Sequence, residues 1–170
     1  MRAELRLANT FPDAAAAGAA LRAAALTVAV GESCTGGLLG AALTAVPGSS
    51  DYMRGGVIAY SDTTKSELLG VSRHLIAQFG AVSEAAAEAM AEGVRSRCHA
   101  DIGVAVTGVA GPGGGTLDKP VGLIFVCVRG RSGAWTERLE GDHGREQNRA
   151  RAVEAALRLC IVAAGTAGQA

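Results

Sequence analysis

The chain has 170 residues, 49% of them hydrophobic, with 16 basic and 16 acidic side chains that cancel. This length suits one domain with a sizeable core, the apolar content excludes a disordered chain, and zero net charge gives no bulk drive toward nucleic acid or a membrane surface. No apolar run is long enough to span a bilayer, and Met1-Arg2-Ala3-Glu4-Leu5-Arg6 lacks a signal-peptide core, so a cytoplasmic protein is expected.

Residues 1–12 read as a loosely held arm ending at Phe11-Pro12, after which Asp13 is expected to cap an Ala-rich helix with Leu21 and Leu26 inward. A buried strand over 26–32 runs into Ser33-Cys34-Thr35-Gly36-Gly37, and a helix follows near 36–45. Pro47-Gly48-Ser49-Ser50 is turn chemistry. Val57-Ile58-Ala59-Tyr60 is a second strand, led in by Gly55-Gly56. Ser61 or Asp62 then caps a helix that closes at Gly70, and a short helix covers 72–79. Ser83 caps a longer helix to about Cys98, whose Ala87, Met90, Ala91, Val94 and Cys98 fall on one core-facing stripe.

Asp101–Thr107 is a third strand, running into a glycine-rich loop from Gly108 to Thr116. Val121–Val128 is a fourth, turned by Arg129–Gly133 into a fifth near 134–139. A last helix over 145–164 buries Val153, Ala156, Leu157, Cys160 and Ile161, and 165–170 are expected to be loosely ordered. Helices alternating with continuous apolar strands imply an α/β protein. The expected architecture is a single-domain three-layer α/β/α sandwich over residues 1–170, its sheet of about five strands mixed and mostly parallel.

Three strand ends carry polar groups into loops: Ser33, Tyr60 and Thr107. In open α/β sheets ligands bind at such carboxyl ends. Local sequence leaves the roles open. Ser33 or Thr35 can cap the next helix, Cys34 can pack as a small apolar side chain, or Ser33 or Cys34 can be a nucleophile. Of the 16 basic residues only Lys65 and Lys119 are lysine. Lysine, unlike arginine, can be made neutral and act as a base, and Lys65 sits in a first helical turn, where the helix dipole disfavours an ammonium. The alternative is a solvated helix residue. Tyr60 is either a proton relay beside them or an ordinary strand-end aromatic. The loop containing Gly111 and Gly113 offers backbone N–H groups to an anion, with Lys119, Arg145 and Arg149 as available cations, or is a plain connection. The four cysteines, Cys34, Cys98, Cys127 and Cys160, are widely spaced without a CxxC pair, and the three histidines lack paired spacing, so free thiols and no metal site are expected.

Glu32-Ser33-Cys34-Thr35-Gly36-Gly37, Gly55–Ser61 with Lys65, Gly80-Ala81-Val82-Ser83, Thr107–Pro112 and Lys119-Pro120-Val121-Gly122 together resemble the CinA C-terminal domain family, whose members include nicotinamide mononucleotide deamidases. The likeness runs from about Leu21 to Leu159 and looks like the stand-alone form of the family. It implies hydrolysis of the carboxamide of nicotinamide mononucleotide to nicotinic acid mononucleotide and ammonia. By motif it makes Ser33 the nucleophile, Lys65 its base and Tyr60 a third member. Thr107, the Cys34–Gly37 turn (Cys34, Thr35, Gly36), the Gly111 and Gly113 loop, and Arg145 or Arg149 would bind substrate. Neither cofactor nor metal is implied. A nucleotide is the expected small-molecule partner, with no nucleic acid or membrane, and a homo-oligomer is expected. The family's Gly-Asp-Arg is here Gly141-Asp142-His143-Gly144-Arg145, a two-residue insertion that favours Arg149 for the family's arginine.

Overall fold

Five apolar runs form one mixed sheet: β1 (Val28–Glu32), β2 (Met53–Ile58), β3 (Ile102–Gly108), β4 (Ile124–Gly130) and β5 (Gly133–Leu139). The computed structural model describes residues 7–167. Strand order is β2-β1-β3-β4-β5, with β1 parallel to both β2 and β3, and the last two pairings antiparallel. The three-layer expectation holds. Side chains alternate across the sheet, so Val28, Val30, Val104 and Val106 enter one core while Ala29 and Ala105 enter the other.

The first core is covered by α2 (Asp13–Ala23), α3 (Leu38–Thr44) and α7 (Arg145–Ala167), the second by α4 (Asp62–Leu69), α5 (Arg73–Phe79) and α6 (Glu84–Arg97). A short α1 (Leu7–Thr10) precedes them. Among the described residues no helix is long and apolar enough to cross a membrane.

Most boundaries follow local chemistry. Ser61 Oγ accepts from Thr64 N at 3.1 Å and Ser83 Oγ from Ala86 N at 3.1 Å, so both predicted caps are made. Gly70 ends α4 in the left-handed region. Other expectations move. Asp13 is the first helical residue of α2 rather than its cap, which falls at Pro12 without a side-chain hydrogen bond. Of the expected loose arm, residues 1–6 lie outside the described residues, while Leu7–Thr10 is helical and Phe11 is buried. At the other end α7 continues through Ala167, and 168–170 lie outside the described residues.

The second strand includes its glycines. A Cβ at Gly56 would meet Val30 Cγ2 at 2.5 Å and Val30 O at 2.8 Å, so Gly56 lies within the strand and serves close approach to β1 rather than only leading into it. The fourth strand starts at Ile124, because Gly122 (φ +89°) turns the chain against the backbone of Gly141.

Tyr52 shows how the first core is tied. It is fully buried, and its hydroxyl donates to Leu43 O at 2.7 Å, a carbonyl in the last turn of α3 that has no helical partner. Tyr52→Phe is expected to cost about 1–2 kcal/mol, read as a lower urea midpoint at unchanged slope.

Candidate active site

The chain leaves β1 through α3 to β2 on one side, while β3 flanks β1 on the other. Such a switch in strand order opens a crevice at the carboxyl ends. A cavity of about 290 Å³ lies there, with walls that include Ser33, Cys34, Lys65, Thr107, the Gly108–Gly114 loop and Arg145.

Strand alternation decides which side chain faces which helix layer. Ser33 N donates to Val106 O at 2.9 Å, extending the β1–β3 ladder one residue beyond the strand. Val30 packs in the first core, so Glu32 falls on the α3 side and Ser33 on the α4 side, with Lys65. Ser33 is 7% exposed, and its carbonyl accepts from Gly36 N at 3.1 Å.

Lys65 is 3% exposed, an unusual setting for an ammonium. Burial lowers its pKa from the usual lysine range, against the opposing pull of Asp62, whose Oδ1 lies 3.7 Å from Nζ, and of Cys34. Asp62 itself is largely exposed, so its charge is screened by solvent. No direct hydrogen bond joins Nζ to Ser33 Oγ; the two share the cavity wall, and unliganded sites often close such contacts only around substrate.

Tyr60 sits on the rim, 57% exposed, and its hydroxyl accepts from Arg145 Nη2 at 3.1 Å rather than from Lys65. Arg145 Nη1 also donates to Gly111 O at 2.8 Å, so this arginine bridges the cavity mouth from the β2–α4 junction to the glycine-rich loop. Thr107 is buried and its Oγ1 donates to Ala81 O at 2.7 Å, which leaves that oxygen only acceptor capacity toward a ligand.

Burial drives the Cys34 thiol up to about 12. Five pH units below that value, about one Cys34 in 10⁵ would be thiolate, a poor supply for a nucleophile.

Several expected residues stand elsewhere. Arg149, favoured over Arg145 on sequence, does not line the cavity; its Nη2 donates to Thr35 O at 2.7 Å. Thr35 is fully buried and Gly36 is likewise off the cavity wall, whereas Gly111 and Gly113 line it. Lys119 Nζ donates to Phe79 O at 2.6 Å, where it closes the carboxyl end of α5 instead of offering a charge to the cavity.

Three residues of the site were not assigned to it from the sequence. Glu32, 1% exposed, accepts from Gly37 N (3.0 Å), Leu39 N (3.1 Å) and Gly40 N (2.8 Å), supplying the cap that Gly37 lacks. Asn148 is buried and ties Ala110 O, Asp142 Oδ1 and the N–H of His143 together, which seats the start of α7 against the loop. Asp62 borders the cavity beside Lys65. For Glu32 the signal that could have found this cap is a Glu ending a strand before Gly-Gly. His143 is exposed and stays off the cavity wall. Among the described residues no group of three or more His, Cys, Asp or Glu side chains is placed to hold a metal ion.

A family profile described as "CinA C-terminal domain" matches residues 12–163. The chain is similar to a CinA-like protein from Synechococcus sp. (strain CC9902), 59% identical over 121 residues that make up 70% of this chain and 29% of that protein. It is also similar to a CinA-like protein from Gloeobacter violaceus, 49% identical over 148 residues, 86% of this chain and 35% of the relative. The chain thus spans about a third of the length of these curated relatives. Among solved structures it resembles the competence/damage inducible protein CihA from Agrobacterium tumefaciens, with TM-score 0.87, 38% identity and coverage of 92% of this chain and 96% of that one. A CinA superfamily protein from Klebsiella pneumoniae superposes with TM-score 0.88 at 32% identity, covering 93% and 99% of the two chains. A profile match over nearly the whole chain, relatives at this identity and the shared fold agree: the chain belongs to the CinA C-terminal domain family.

Proposed function

We propose that the protein hydrolyses the carboxamide of nicotinamide mononucleotide to nicotinic acid mononucleotide and ammonia, with Ser33 as nucleophile and Lys65 as its base. The observation that carries this reading is a buried lysine of lowered pKa lining one small cavity with a serine at a strand's carboxyl end. Neutral Lys65 takes the Ser33 proton as Oγ attacks the amide carbon. The ammonium so formed gives that proton to the departing nitrogen, and the C–N bond breaks to leave an ester on Ser33. Water, deprotonated by the same amine, then cleaves the ester and releases the carboxylate. The glycine-rich loop and Arg145 offer N–H and guanidinium donors for the 5′-phosphate. Tyr60 at the rim reaches the reaction through Arg145 rather than as a member of a triad.

The test is ammonia release from nicotinamide mononucleotide with matched formation of the acid. Wild type is expected to turn over, and Cys34→Ala to stay within about ten-fold of it, since the Cys34 thiol is held protonated. No ammonia from wild type overturns the amidase reading. A dead but folded Cys34→Ala moves the nucleophile to Cys34.

A further inference from the structure

Resting on that reading, we propose that Glu32 and Arg149 are positioning residues that hold the Ser33–Gly37 turn so that the N–H group of Cys34 receives the oxyanion of the tetrahedral intermediate.

A census of backbone donors carries the assignment. Ser33 N is spent on Val106 O, Gly36 N on Ser33 O, and Leu38 N on Thr35 O. Gly37, Leu39 and Gly40 all donate to the Glu32 carboxylate. Glu32 therefore occupies the N-terminal donors of α3, and a substrate oxyanion cannot use them. Among the N–H groups from Ser33 to Gly40, those of Cys34 and Thr35 have no oxygen acceptor; that of Cys34 meets only its own sulfur, and Cys34, unlike the fully buried Thr35, lines the cavity. Unpaired N–H groups are rare in protein interiors. The direction of the Cys34 N–H is set as well. In a trans peptide the N–H points opposite to the carbonyl, so the Gly36 N to Ser33 O bond turns the Cys34 N–H away from the interior of the turn. The donor following a nucleophile is well placed for the oxyanion that its attack creates.

Two charges hold this arrangement, both from the layer that contains α3 and α7. Glu32 reaches forward from β1 on the α3 side, and Arg149 reaches from α7 to Thr35 O. That bond orients the Thr35–Gly36 peptide and so fixes the turn that begins at Cys34, while Arg145 lines the cavity. Neither Glu32 nor Arg149 lines the cavity with Ser33.

The test is steady-state kinetics of Glu32→Gln and Arg149→Met on nicotinamide mononucleotide, with folding followed by circular dichroism. Glu32→Gln keeps size but turns an N–H donor toward the N–H groups of α3. Each variant is expected to lower kcat about 10- to 100-fold with KM within about three-fold, because the lost contact bears on the oxyanion and not on bound substrate. The acid limb of the pH–rate profile should stay in place, since Lys65 is untouched. Unchanged kcat in folded Glu32→Gln overturns the proposal, and so does a raised KM at constant kcat in Arg149→Met, which would make Arg149 a substrate contact. Should Glu32→Gln fail to fold, Glu32→Asp and Arg149→Met are judged by the same split. An inactive wild type fails the amidase reading itself and takes this proposal with it, whereas an active wild type with unaffected variants fails this proposal alone.

Discussion

Lys65→Arg is expected to release ammonia from nicotinamide mononucleotide at least about 10³-fold more slowly than wild type, and Ser33→Ala to fall with it. Arginine keeps the charge and much of the stem, so a loss on this scale isolates the one property it lacks, a proton that can leave. The pH dependence has a definite sign. Burial lowers the Lys65 pKa, so the fraction of neutral amine, and with it kcat/KM, rises with pH and levels off above that lowered value. Asp62→Asn removes the neighbouring charge that opposes this shift, and the acid limb is expected to move to lower pH. The same burial makes Lys65 a cost to folding. Between the lowered folded pKa and the unfolded value the unfolded chain binds more protons, so this contribution to stability improves as pH rises through that window, and the full penalty stands below it. Lys65→Met is accordingly expected to be inactive yet to melt at a higher temperature than wild type at neutral pH, by calorimetry. A lower melting temperature would mean that the Asp62 pair outweighs the burial of the charge.

Much of this site was legible in the sequence because its parts are local. Ser33 follows a continuous apolar strand, Lys65 follows a Ser-Asp helix start, and both signals lie within a few residues of the group they place. The layer each one faces follows from period-two alternation, and the two caps at Ser61 and Ser83 were read from residue type alone. The parts that were misread depend on contacts between distant segments. Lys119 finds its acceptor on Phe79, 40 residues away, and Arg149 on Thr35, 114 residues away. Gly55-Gly56 reads only as a lead-in to β2 until β1 is laid beside it, and the start of β4 is delayed by Gly141 across the loop. The choice between Arg145 and Arg149 turns on the entry angle of α7, which Asn148 sets by bonding Ala110 O and Asp142 Oδ1. No periodicity encodes such an angle.

Gly93→Ala is expected to destabilise the protein by about 2–3 kcal/mol and to lower its melting temperature by roughly 5–10 °C. Gly93 lies within α6, where helix propensity alone favours alanine by about 1 kcal/mol. Packing reverses the sign. A Cβ at Gly93 would overlap the carbonyl oxygen of Leu69 and come within 3.1 Å of its Cα, and these are backbone atoms that cannot rotate aside. Leu69 ends α4, four residues after Lys65, so the whole helix must move away from α6 to make room. Overpacking typically costs about 1–3 kcal/mol, and displacement of backbone belongs at the upper end. Gly165→Ala supplies the contrast. It is the same change in a helix, at a position where nothing lies within 4 Å, and it is expected to be neutral or stabilising by up to about 1 kcal/mol. Because α4 carries Lys65, the small fraction of stability lost at Gly93 has a larger echo in the chemistry. Folded Gly93→Ala is expected to lose kcat about 10-fold or more, as sub-ångström misplacement of a base is felt steeply. A Gly93→Ala protein with wild-type kcat and melting temperature would mean that α4 is not fixed by its contact with α6.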